Sequence, residues 1–164
     1  MIFGDTPFAH FHVVLSLLGI LSGFVVVFGL LFAKRLDAWT AVFLLATLLT
    51  SVTGFLFPFH KFLPSYGVGI VSLIVLALAI PAHYVFHLAG GWRRTYVFTA
   101  TGALYLNVLV LMAQLFARVP ALKALAPAQS EPPFLVTQLI VIAVFIVLGI
   151  FATRQFQAGQ LRPA

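Results

Sequence analysis

The sequence predicts an all-α membrane protein: a bundle of five transmembrane helices, N-terminus outside and C-terminus inside. Three observations lead there. Of the 164 residues, 63% are hydrophobic and 7% charged, whereas a soluble domain has about a quarter of its residues charged. Five apolar runs, in a chain of mean hydropathy +1.16, each approach the roughly 17 to 25 residues that a helix needs to cross the hydrocarbon core. No run of about ten residues alternates apolar with polar, as barrel strands would, and lipid cannot satisfy the backbone of open strands.

The expected spans are residues 13–33, 39–57, 67–88, 96–117 and 134–153, forming one transmembrane domain over residues 1–164. The first 12 residues hold Asp5 and no Lys or Arg. A basic n-region is therefore missing, and the first span reads as an anchor and not as a cleaved signal. Its Ser16, Gly19, Ser22, Gly23 and Gly29 form a small-residue seam suited to close helix packing. Asp37 is placed to cap the second span, which carries a second seam at Thr40, Thr47, Ser51 and Gly54. Pro58 and Pro64 bracket a turn, and Ser65 is placed to cap the third span. The Gly90-Gly91 pair ends that span, where left-handed backbone is needed. Residues 118–133 form an outer loop, apolar enough in Val119 to Pro127 to lie on the bundle as a lid. Ser130 or Glu131 followed by Pro132 and Pro133 starts the fifth span.

Orientation follows from the positive charges. With the N-terminus outside, Lys34, Arg35, Arg93, Arg94, Arg154 and Arg162 fall inside, against Lys61, Arg118 and Lys123 outside; the excess belongs on the cytoplasmic face. The formal net charge of +6 is thus topological. It forms no continuous basic face, and nucleic acid is not an expected partner. Zero cysteines exclude disulfides, thiolate metal sites and thiol catalysis.

In the fourth span Tyr96, Ala103, Asn107, Gln114 and Arg118 recur at intervals of seven and four, so they share one helical face. An amide facing lipid at the depth of Asn107 would cost several kcal/mol. The stripe therefore faces protein or a cavity, either bonding to a neighbour's Thr or Ser or forming one wall of a pocket. The five histidines are the other chemical signal. His10, His12 and His60 belong to the outer boundary, with His12 and His60 at matching depth. Those two could be axial ligands of haem b. Alternatively His10, His12 and His60, with Glu131 or Asp5, could converge on a divalent metal such as zinc or copper, provided the first two sit on extended backbone, since a helix turns them apart. His83 and His87 form an i, i+4 pair at the inner end of the third span, beside a kink expected at Pro81. With Tyr84, Arg93 and Arg94 they could hold a quinone or a lipid headgroup.

Absent motifs narrow the function. No Asp or Glu lies within a span, against a carboxylate proton relay. No Gly-rich phosphate loop occurs, and no Ser, His and acid can be assembled for hydrolysis.

At Leu104-Tyr105-Leu106-Asn107, and from Val119-Pro120-Ala121-Leu122 through Leu125-Ala126-Pro127 to Glu131-Pro132-Pro133-Phe134, the chain resembles a family of short, uncharacterised proteobacterial inner-membrane proteins. The resemblance extends from Thr53-Gly54-Phe55 and Phe57-Pro58-Phe59 to the end of the fifth span. It implies a bacterial inner membrane and carries over no activity or site residue. Two functions are therefore expected in parallel. One is a redox or ligand-binding protein holding haem or metal at the outer histidines and quinone or lipid against His83, His87, Asn107 and Gln114. The other is a non-enzymatic accessory subunit or small oligomeric channel or transporter. Membrane lipids are partners in both, and a homo-oligomer or larger membrane complex is compatible with either.

Overall fold

The computed structural model describes residues 6–57 and 64–158. Among these the chain is entirely helical: α1 (Pro7–Leu31), α2 (Asp37–Gly54), α3 (Pro64–Tyr84), α4 (Gly91–Arg118), the short α5 (Pro120–Leu125) and α6 (Pro132–Ala158). All but α5 are long and apolar enough to cross a membrane, so the five expected spans are present.

The ends differ from expectation for identifiable reasons. α1 starts at Pro7, ahead of Val13, because Thr6 accepts the Ala9 N–H at 3.2 Å and Pro7 follows it at the first helical position; the missing proline N–H costs nothing there. His10 and His12 are consequently helical. α1 closes with the Lys34 N–H on the Gly29 carbonyl (2.8 Å) and the Ala33 N–H on the Leu30 carbonyl (3.1 Å). This is a Schellman closure, with Ala33 at φ 55° in the position that usually takes glycine. Asp37 is not the cap of α2. Leu36 holds that position without a side-chain bond, and Asp37 occupies the first turn. Ser65 likewise lies inside α3, which begins at Pro64.

α3 runs through Pro81 and ends at Tyr84, four residues short of the predicted limit. Proline supplies no N–H to the preceding turn, and the N–H groups of Val85 and Phe86 then share the Pro81 carbonyl. The left-handed positions of the following turn are His87 (φ 48°), Leu88 (φ 60°) and Gly90 (φ 51°). Glycine therefore fills only the last of them, and α4 starts at Gly91.

α1 packs against α2, α4 and α6, and α4 also packs against α3, α5 and α6. The Gly19/Gly23 seam is where α1 meets its neighbours. A Cβ on Gly23 would lie 2.7 Å from Leu104 and 2.8 Å from the Phe43 ring, and one on Gly19 would lie 3.3 Å from the Thr47 hydroxyl. Residues 118–133 do pack on the bundle. Ala126 is fully buried, and Gln129 Nε2 donates to the Ala113 carbonyl at 2.7 Å.

Candidate functional site

At the end of the bundle where α1 and α3 begin and α2 and α4 finish, these four helices enclose a cavity of about 530 Å³. Space exists there because the facing positions are small: Ser16 on α1, Ser51 and Gly54 on α2, and Gly69 and Ser72 on α3. The rest of the wall is largely apolar, with Val13, Leu17, Ile20, Leu106 and Val110 among its residues. Aromatic rings line the mouth. Phe55 lies 5.9 Å from Tyr66, and Phe57 stands edge-on to the His12 imidazole at 5.1 Å. Deeper in the bundle the interior is solid, with Phe43, Val97 and Leu104 all fully buried.

Several polar groups on this wall are held in a defined orientation. His12 Nδ1 lies 2.8 Å from the Thr53 hydroxyl oxygen, and that hydroxyl donates its own proton to the Leu49 carbonyl at 2.7 Å. With that proton on Leu49, Thr53 accepts from the imidazole, and in this arrangement Nδ1 carries the proton and Nε2 the lone pair. Asn107 Nδ2 donates to the fully buried Thr47 hydroxyl at 3.0 Å. Gln114 Oε1 accepts from Arg118 Nε at 2.8 Å, one turn along α4. From Arg118 to Asn107 the helix rises about 16 Å at 1.5 Å per residue, which is the depth of the polar wall. Thr50 also lines the cavity, and its enclosed hydroxyl has no partner among the described residues.

The two readings of the α4 stripe thus hold together: Asn107 bonds a neighbour's threonine and lines a pocket. Sequence reasoning takes the α2 seam as packing alone, but it also supplies Thr47 to Asn107 and Thr40 to the Tyr96 hydroxyl (3.1 Å). Thr50, Thr53, Tyr66 and Ser72 belong to the site without being singled out by the sequence pattern. The recurrence of Tyr66, Gly69 and Ser72 at intervals of three is the signal that could have marked the α3 wall.

The remaining predicted residues lie elsewhere. His10 and His12 are two apart on a helix, about 200° around its axis. His10 is exposed, with Nδ1 2.9 Å from the Thr6 carbonyl. The extended-backbone condition for a shared metal is therefore not met by this pair. Glu131 accepts the backbone N–H groups of Ala128 (3.1 Å) and Ser130 (3.0 Å); these bonds, Ala128 foremost, hold its carboxyl below the usual carboxylate range. Among the described residues no three His, Cys, Asp or Glu side chains form a metal-binding group. Asp5 and His60 lie outside the described residues. None of residues 119–131 lines the cavity, so the loop between α4 and α6 braces the end of α4 and does not cover the opening.

His83 and His87 do not share a helical face, because α3 ends between them. His87 is exposed in the turn, whereas His83 is 2% exposed at the opposite end of the bundle from the cavity. His83 Nε2 is 3.3 Å from Asp37, which also pairs with Arg35 at 2.6 Å. The His83 ring packs 5.0 Å from that of Tyr96. This cluster ties α2, α3 and α4 together away from the cavity.

The chain matches no protein family, no curated protein and no solved structure.

Proposed function

We propose that this membrane protein binds an amphiphile with a flat polar head, of the quinone class or a lipid of similar shape, in the cavity between α1, α2, α3 and α4. One observation carries the reading: a 530 Å³ space with apolar walls into which His12, Asn107 and Gln114 bring hydrogen-bonding groups. Ligand sites for small molecules have this character, mostly apolar with a few fixed polar groups. The aromatic mouth suits a ring, and the described lining holds no Asp or Glu, its one cation being Arg118, bonded to Gln114. The close-packed interior around Phe43 and Leu104 favours a binding site over a continuous pore. In this reading the protein resides in a bacterial inner membrane with its cavity end outside, as the distribution of Lys and Arg suggests.

Titrating the detergent-purified protein with a short-tailed benzoquinone, followed by calorimetry, tests the proposal. Saturable binding near one per chain, weakened at least tenfold by Asn107→Leu and unchanged by His87→Ala, supports it. No saturable binding of quinone, hydroquinone or phospholipid removes it.

A second reading rests on His12. Imidazoles that ligate metals usually donate their other ring N–H to a fixed acceptor, and Thr53 stands 2.8 Å from His12 Nδ1 to serve as one. Haem b or a divalent ion held by His12 and His60 would give a dithionite-sensitive Soret band, or metal on elemental analysis, lost in His60→Ala. A featureless spectrum without metal ends this reading and leaves the amphiphile proposal standing.

A further inference from the structure

The hydrogen-bond polarity of the cavity says more than its shape, and the following rests on the amphiphile reading. Three groups on its wall have committed their protons to protein acceptors. The Ser16 hydroxyl donates to the His12 carbonyl and the Ser51 hydroxyl to the Thr47 carbonyl, both at 2.9 Å. His12 gives its Nδ1 proton to Thr53. What each can offer a ligand is therefore a lone pair. Asn107, with one Nδ2 proton given to Thr47, adds Oδ1 as a fourth acceptor and keeps its second N–H. The Thr50 and Ser72 hydroxyls can rotate to serve as either donor or acceptor, while the Gln114 amide and the donor-only Arg118 guanidinium lie nearer the rim.

A head bearing only carbonyl oxygens would set lone pair against lone pair at Ser16, Ser51 and His12, leaving acceptors unsatisfied. A head bearing hydroxyls would satisfy them. The axial spacing accommodates an aromatic ring. The anchors of His12 and Asn107 on α2 are Thr53 and Thr47, six residues or about 9 Å apart along the helix. A ring with two para hydroxyls, with a hydrogen bond of about 2.8 Å at either end, bridges roughly 10 Å.

We propose that the cavity selects a hydrogen-bond-donating aromatic head, the hydroquinone form of a membrane quinone, over the oxidised quinone. Thr53 is the positioning residue for this preference, because it decides which nitrogen of His12 faces the ligand.

The test is anaerobic titration of the full chain in mild detergent with a short-tailed 1,4-benzoquinone and, separately, its chemically reduced hydroquinone. The hydroquinone is expected to bind at least tenfold more tightly. In Thr53→Val, a near-isosteric change, the imidazole is free to turn a proton towards the cavity. The ratio should then fall to about threefold or less while binding persists. Equal or tighter binding of the quinone to the unaltered chain overturns the inference, as does a ratio unmoved by Thr53→Val; in both cases the amphiphile reading survives. Binding of neither form removes that reading and this inference with it.

Discussion

Replacing Asn107 probes both the architecture and the site. Asn107→Leu deletes the 3.0 Å bond to Thr47 and leaves a fully buried hydroxyl without its donor. Bonds of this kind between membrane helices contribute about 0.6 kcal/mol on average and at most about 1.7, because the unfolded chain in a membrane also finds partners. Leaving the Thr47 oxygen unpaired adds a penalty of about 1–3 kcal/mol in the single variant, partly offset by the apolar gain of leucine. The pair is therefore best measured by a double-mutant cycle with Thr47→Val, which isolates the coupling from both side effects. Unfolding of the detergent-solubilised protein by SDS, followed by circular dichroism, is a suitable assay. A coupling of about 0.5 to 1.7 kcal/mol is expected, together with loss of ligand binding in Asn107→Leu. Zero coupling would refute the α2–α4 bond, and full binding by Asn107→Leu would refute its place on the cavity wall.

Other consequences follow from the same geometry. Gly23→Ala puts a methyl within 2.9 Å of Leu104 and Phe43, both fully buried, so SDS unfolding should show a loss of about 1–3 kcal/mol. Gly102→Ala has nothing within 4 Å and should be neutral, or stabilising by up to about 1 kcal/mol. Tyr96→Phe removes the bond to Thr40 at the far end and should lower stability by about 0.6 kcal/mol with ligand affinity intact. Glu131 has its folded carboxyl held low by loop N–H groups, so its contribution is complete above the unfolded carboxylate range and lost as pH falls through the folded value. Hydrogen exchange at Ala128 and Ser130 should accordingly speed up in Glu131→Gln at neutral pH, and in the unaltered chain only at more acidic pH than an ordinary glutamate would require.

The spans were legible because the runs are long and apolar, and the α4 stripe because an amide in lipid is costly enough to force its direction. Helix ends were read less well. Thr6 and Pro7 form a plain start signal, but the apolar run begins later, and hydropathy placed the boundary where the polarity changes. His87 and Leu88 hold left-handed backbone that their residue types do not announce, and the expected histidine pair failed for that reason. The cavity itself was half visible: Asn107 and Gln114 point to a polar wall, but the space depends on Ser16, Gly69 and Ser72 facing one another across different helices, a tertiary fact without a local pattern. Thr53 was hidden for the same reason, since its role comes from His12, 41 positions away.

Occupancy of the cavity is tested most directly by filling it. Val110 lines the space and holds none of the hydrogen bonds that fix His12, Asn107 or Gln114, so Val110→Trp should block the site without dismantling its polar wall. Calorimetric titration of the short-tailed hydroquinone into the unaltered chain and into Val110→Trp should give saturable binding near one per chain in the first and at least a hundredfold weaker binding in the second, with circular dichroism unchanged. Equal affinity in both would contradict a ligand site between α1, α2, α3 and α4.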